Sequence, residues 1–154
     1  MNQFATRAMV VGLAAVSIVA GALSAQSAVA QKPFEPKVGQ PGKDVVWVPT
    51  PQPTVDKMLE LAKLTKDDYL IDLGSGDGVT VITAALRGAR ALGIEYNPDM
   101  VALATARAQS AGVTERAVFL QADIFKTDFS QATVLTMFLL PDLNSQLRPM
   151  ILNM

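Results

Sequence analysis

The 154-residue sequence contains no cysteine and no histidine. The first absence removes disulfides, zinc–thiolate centres and thiol nucleophiles. The second removes imidazole bases, histidine triads and histidine-ligated metals, so no metal site is expected. Aromatic residues are scarce at 6%, and charge is sparse at 18%. It is also balanced, with 13 Lys+Arg against 14 Asp+Glu and a net −1. A chain without a basic excess has little to offer nucleic-acid phosphates, and no nucleic-acid partner is expected. What remains is a half-hydrophobic chain of one-domain length, whose chemistry must rest on carboxylates, hydroxyls and backbone groups.

Charge is missing locally as well. Arg7 is followed by 24 uncharged positions, 8–31, before Lys32. A short basic start, an apolar run and small residues ending in Ala28-Val29-Ala30 follow the order of a secretory signal, with cleavage after Ala30. The stretch 8–25 also approaches the ~20 residues of a spanning helix, which leaves an uncleaved anchor open. Residues 1–30 are therefore set apart as signal peptide or membrane anchor. The chain is expected to be exported (periplasmic or secreted) or membrane-anchored, with membrane association through residues 8–25. Residues 31–53 hold Pro33, Pro36, Pro41, Pro49, Pro51 and Pro53. That density forbids a continuous helix or central strand and reads as a linker. Within it Val45-Val46-Trp47-Val48 reads as an apolar clip, with Trp47 packed against the domain.

The domain proper is read from residue 54 to 154. Thr54 can cap a helix, after which Val55, Met58, Leu59 and Ala62 line one face. Tyr69–Leu73 reads as a buried strand, and Gly74-Ser75-Gly76-Asp77-Gly78 as a glycine-rich turn. Val79–Leu86 starts with β-branched residues, yet its place between a glycine turn and Gly88 predicts a helix. Residues 91–95 form the next strand. Asn97-Pro98-Asp99 opens a helix with a cap, a proline at the first position and an acid in the first turn, and it runs to about Ser110. Ala117–Gln121 is a third strand and residues 132–140 a fourth; Leu143, Leu147 and Ile151 mark a last helix. The alternation predicts an α/β fold, a parallel sheet covered by helices.

In such sheets ligands bind at the carboxyl ends of the strands, beside the switch point. Asp72 and the glycine turn follow strand one, Glu95 ends strand two, Asp123 follows strand three, and Phe138-Leu139-Leu140-Pro141 ends strand four. Each has an ordinary alternative: a turn glycine, a helix cap, an exposed strand-end acid. Together, in this order, they point to a cofactor site. Asp77 reads as a helix-start acid and Asn97 as a cap.

The run Asp72-Leu73-Gly74-Ser75-Gly76-Asp77-Gly78, with an acid ending the next strand, resembles the class I S-adenosylmethionine-dependent methyltransferases. The likeness covers roughly residues 48–154. Val48-Pro49-Thr50-Pro51 ahead of the domain and Phe138-Leu139-Leu140-Pro141-Asp142-Leu143-Asn144 after strand four resemble the small protein-lysine methyltransferases that lack a SET domain.

The resemblance implies a Rossmann-like fold, S-adenosyl-L-methionine as cofactor and a methyl acceptor that is a protein lysine. It implies that Gly74, Ser75, Gly76 and Gly78 surround the methionyl part, that Asp72 meets its ammonium, that Glu95 accepts from the ribose hydroxyls, and that Asp123 accepts from the adenine amino group with Ile124 on the ring. Phe138, Leu139 and Pro141 fall where that family positions the acceptor, and Thr50 and Pro51 where the chain closes over the cofactor. No residue is assigned as a general base. Only about four of the family's seven strands are readable, which implies a chain truncated at its C-terminus. In the family's order, 3-2-1-4-5-7-6, strand four is central; here residues 132–140 would form an exposed apolar edge, open to self-association. Two alternatives stay open. One is a non-catalytic or incomplete cofactor-binding fragment. The other is an NAD(P)-dependent oxidoreductase, although Val79 stands where the third Rossmann glycine belongs.

Overall fold

The computed structural model describes residues 34–44 and 46–154. The segment expected to be a signal or anchor, and Val45 of the apolar clip, lie outside the described residues. The first helix, α1 (Gln52–Leu61), begins two residues ahead of Thr54. Pro51 is its N-cap and Pro53 sits in its first turn, where a missing N–H costs nothing. The proline cluster thus ends in a helix start, and Thr54 is a helical residue rather than a cap.

Strand β1 (Tyr69–Leu73) leads into α2 (Val79–Leu86), β2 (Arg90–Glu95), α3 (Pro98–Ser110), β3 (Ala117–Gln121), β4 (Val134–Met137) and α4 (Pro141–Leu152). All four strands are parallel, in the order β3-β2-β1-β4. This is the expected α/β sheet, with β1 inside and β4 at one edge of the described sheet. The two-residue alternation of the strands divides the interior. Leu70, Ala91 and Ala117 face α1, α2 and α3, packing with Val55, Leu59, Val81, Ala84 and Ala108. Ile71, Leu73 and Ile94 face the other way, onto Leu147 of α4 and Phe129 of the loop before β4.

Strand four is shorter than residues 132–140. Its last partner is Leu73, opposite Met137; beyond that point β1 turns, and the Gly74 and Ser75 amides donate to Ile94 O. Among the described residues no strand pairs with those after Met137, and Pro141 begins a helix whose N-cap is Leu140. By contrast α2 keeps its expected bounds despite its β-branched start. Gly78 supplies its left-handed cap, and Thr80, Val81, Ala84 and Ala85 are buried.

Gly93 of β2 is held by a close approach. A β-carbon there would lie 2.5 Å from Ser75 Oγ and 2.6 Å from Phe119 Cδ1. Neither neighbour is free to retreat, since Ser75 is buried in the glycine turn and Phe119 packs against the core. Gly93→Ala is therefore expected to destabilise the fold by about 2 kcal/mol, the usual scale of overpacking. Urea unfolding checks this; an unchanged midpoint would show that the turn has room to move.

Candidate functional site

The carboxyl ends of β1, β2 and β3 open into a cleft of about 1000 Å³, counting its mouth. Asp72, Gly74, Ser75, Gly76, Glu95, Asp123, Ile124, Phe138 and Leu139 all line it. The topology brings together residues up to 67 positions apart (139 − 72) because parallel strands deliver their C-termini to one edge. Two expected members lie elsewhere. Gly78 packs instead against α3 and β3, where a β-carbon would lie 2.7 Å from Phe119 Cζ and 2.8 Å from Ala104 Cβ. Pro141 is taken up by the start of α4.

Asp72 is the most constrained group. Its side chain points to the α2 side of the sheet, where Thr136 Oγ1 donates to Oδ1 at 2.7 Å and Thr80 also hydrogen-bonds. Burial pushes its carboxyl up to about 7, against the pull of those hydroxyls, and Glu95 and Asp77 add repulsion. No cation pairs with it among the described residues. Sequence reasoning misses Thr136 as a site residue. The signal for it is nonetheless present: it is the polar position in the apolar run 134–140, in register with Asp72.

Glu95 braces the glycine turn. Oε2 accepts from Gly76 N and Oε1 from Asn97 N, each at 2.9 Å. Each oxygen keeps a further acceptor position, and Glu95 lines the cleft. Gly76 has φ +53, a conformation that disfavours any side chain, and a β-carbon there would lie 2.8 Å from Trp47 Nε1. Ser75 Oγ is buried without a hydrogen-bond partner among the described residues. Asp77 is not part of the α2 cap; its buried carboxylate pairs with Arg107 of α3. Asn97 caps α3 as expected, accepting from Asp99 N at 2.8 Å.

Asp123 closes the far end. Phe125 N donates to Oδ1 at 3.0 Å, and Lys43 Nζ reaches Oδ2 at 3.1 Å. These contacts, the backbone one first, hold its carboxyl below the ordinary range. Phe138 is 55% exposed, so it belongs to the cleft mouth and not to the core. Leu139 is half-buried against the turn, its Cδ2 2.9 Å from where a Gly74 β-carbon would stand.

The proline-rich residues are a wall of this cleft. Gly39 N donates to Trp47 O at 2.8 Å, Trp47 N donates to Gln40 O at 2.9 Å, and Pro41 pairs with Val46 in an antiparallel bridge. Gln40, Lys43, Asp44, Val46, Trp47, Val48 and Thr50 line the space. Val46 and Val48 are half-exposed, whereas Trp47 is half-buried with its indole against Gly76, packed on the domain as expected. Nothing local marks Lys43, which meets Asp123 from 80 residues away.

A family model described as the ANTKMT methyltransferase domain matches residues 72–154. A protein-lysine N-methyltransferase of Saccharolobus islandicus (strain REY15A) is 45% identical over 107 residues, 68% of this chain and 66% of that protein. A Xenopus laevis lysine N-methyltransferase, named for the ATP synthase, is 32% identical over 136 residues, 88% of this chain and 59% of its own length. The chain thus spans about two thirds or less of these curated relatives. A solved structure described as an RNA methyltransferase from Salinibacter ruber, in complex with S-adenosyl-L-homocysteine, superposes with a TM-score of 0.68 at 51% identity. That likeness covers 69% of this chain and 70% of that one.

Proposed function

Because the chain belongs to the ANTKMT methyltransferase domain family, we propose that it binds S-adenosyl-L-methionine in this cleft and methylates a protein lysine. The residues present fit that cofactor. Among the described residues Asp72 is a buried carboxyl group with no cation beside it, Ser75 carries a hydroxyl without a partner, and Gly76 leaves its Cβ position empty beside Trp47. Asp72 would receive the amino group, directly or through water. Glu95 would accept from the ribose diol with the lone pairs its two amide bonds leave free, Asp123 from the purine amino group, and Ile124 would pack on the ring. The sulfonium supplies an already activated methyl group, so the chain need only align an in-line attack. Phe138 and Leu139 would flank the incoming lysine, and the desolvation that comes when the acceptor covers them would favour its neutral, nucleophilic form.

The relatives' names differ on the acceptor, lysine in two and RNA in one. The charge of the cleft carries our choice. Among the described residues Asp44, Asp72, Asp77, Glu95 and Asp123 line it and Lys43 is the one cation of the lining; Arg107 answers Asp77 from α3 and burial pushes the Asp72 carboxyl up to about 7, so Asp44, Glu95 and Asp123 set the sign. An acidic cleft attracts an ammonium and repels phosphates. The nicotinamide alternative loses its ground to the family match. An incomplete, cofactor-binding chain remains an outcome of the test.

The full chain is incubated with methyl-tritiated cofactor and a membrane or soluble protein extract, and in parallel with total RNA. Label recovered as N-methyl-lysine after acid hydrolysis is the expected result. Label confined to RNA would overturn the acceptor assignment. Binding of S-adenosylhomocysteine with transfer to neither would identify the incomplete form. Residues 8–25 support the further proposal that this happens at a membrane, as tether or export signal.

A further inference from the structure

Among the described residues, the wall of the cleft built by residues 39–44 and 46–48 makes one ion pair with the sheet, through a lysine that also pairs with Asp44 of the wall at 3.2 Å. Lys43 Nζ lies 3.1 Å from Asp123 Oδ2, 5.2 Å from the centre of the Tyr96 ring and 5.9 Å from that of Phe125. Asp123 and Phe125 follow β3, and Tyr96 follows β2, so one ammonium ties the hairpin to the sheet on the side where the purine is placed. Its other contacts are weak or short-ranged. Gln40 Nε2 meets Met100 Sδ at 3.8 Å, and Trp47 Nε1 faces the Cβ position of Gly76. Val46 and Val48 are half-exposed and give the hairpin little apolar anchorage. With this wall in place the cleft still opens to solvent, and Gln40, Lys43, Val46, Trp47 and Val48 line one side of it.

We propose that Lys43 is the latch of a lid: opening of the Lys43–Asp123 pair widens the cleft for cofactor to enter and leave, and the lid re-forms over it. The inference rests on the cofactor reading above, and adds a residue that sets exchange rate rather than contact energy. Asp123 can serve both partners, since a carboxylate offers about four acceptor positions and Phe125 N and Lys43 take two. A latch that opens for both directions changes association and dissociation together, whereas a simple binding contact changes dissociation alone.

Trp47 is the chain's one tryptophan and sits on the lid, so it reports opening without any cofactor. In the full-length protein, Lys43→Met keeps the aliphatic stem and removes the charge, and Lys43→Arg keeps the charge. Acrylamide quenching of Trp47 is expected to rise in Lys43→Met and to stay at the wild-type level in Lys43→Arg. Stopped-flow binding of S-adenosylhomocysteine is expected to show both rate constants faster by about fivefold in Lys43→Met, the scale of one ion pair with ring contacts. Unchanged quenching would overturn the latch, whatever the ligand does. So would faster dissociation with unchanged association. If the wild type itself binds no S-adenosylhomocysteine, the cofactor reading fails and quenching alone decides whether the lid exists.

Discussion

Glu95→Ala is expected to lower affinity for S-adenosylhomocysteine by at least about a hundredfold. The carboxylate has two tasks. Inward, it accepts from Gly76 N and Asn97 N, fixing the glycine turn and the entry to α3. Toward the cleft, it offers the acceptors for a vicinal diol. Two charge-assisted bonds at about 1.5–3 kcal/mol each supply that factor before any loosening of the turn is counted. Gly76→Val attacks the same bond from the other side. It forces a β-branched residue to φ +53 and sets its Cβ 2.8 Å from Trp47 Nε1. Since both changes act on the Gly76–Glu95 contact, the loss in the double variant should be smaller than the sum of the two single losses. Calorimetric titration decides. Wild-type affinity in both single variants, with folding confirmed by circular dichroism, would sink the assignment of this cleft.

How far this site is legible in the sequence depends on whether its signals are local. Asn97-Pro98-Asp99 gives α3 its start without error, because a cap, a helical proline and a first-turn acid all act within one turn. Asp72, Glu95 and Asp123 can be placed at strand ends because a parallel sheet puts every such end on one edge. The misreadings have physical causes too. Pro53 counted as a helix breaker is harmless in the first turn, so α1 begins early. Apolar composition extends strand four to residue 140, but a strand lasts only as long as its neighbour, and β1 stops at Leu73. Gly78 looks like Gly74 and Gly76 in the sequence; only the rings and methyls around it show that it serves packing. The Lys43 latch is out of reach, since an ion pair across 80 residues leaves no periodic trace.

The second large effect concerns the pH dependence that Asp72 builds into the fold. Its carboxyl titrates near 7 when folded and near 3.8 when unfolded. Between those values the folded state holds a proton that the unfolded state has released, so stability falls as pH rises from about 4 to about 7. The difference corresponds to a loss on the order of 4 kcal/mol, complete above pH 7. The window is clean. The chain has no histidine, and Asp68, Asp123 and Asp128 are shifted down, so their stabilisation is lost only as pH falls below about 4. Asp72→Asn keeps an oxygen for Thr136 and cannot ionise. Its stability should therefore be flat between about pH 5 and 8, and above wild type at about pH 8. Ligand binding should move the other way. A cationic amino group beside Asp72 favours the ionised carboxylate, so wild-type affinity for S-adenosylhomocysteine should climb between about pH 5 and 7, by up to about tenfold per unit. The variant should bind weakly with no such slope. Thermal melts and titrations across that range test both halves. Parallel melting curves for the two proteins would mean that Asp72 is ionised already, and that the buried carboxylate is not the group waiting for a cation.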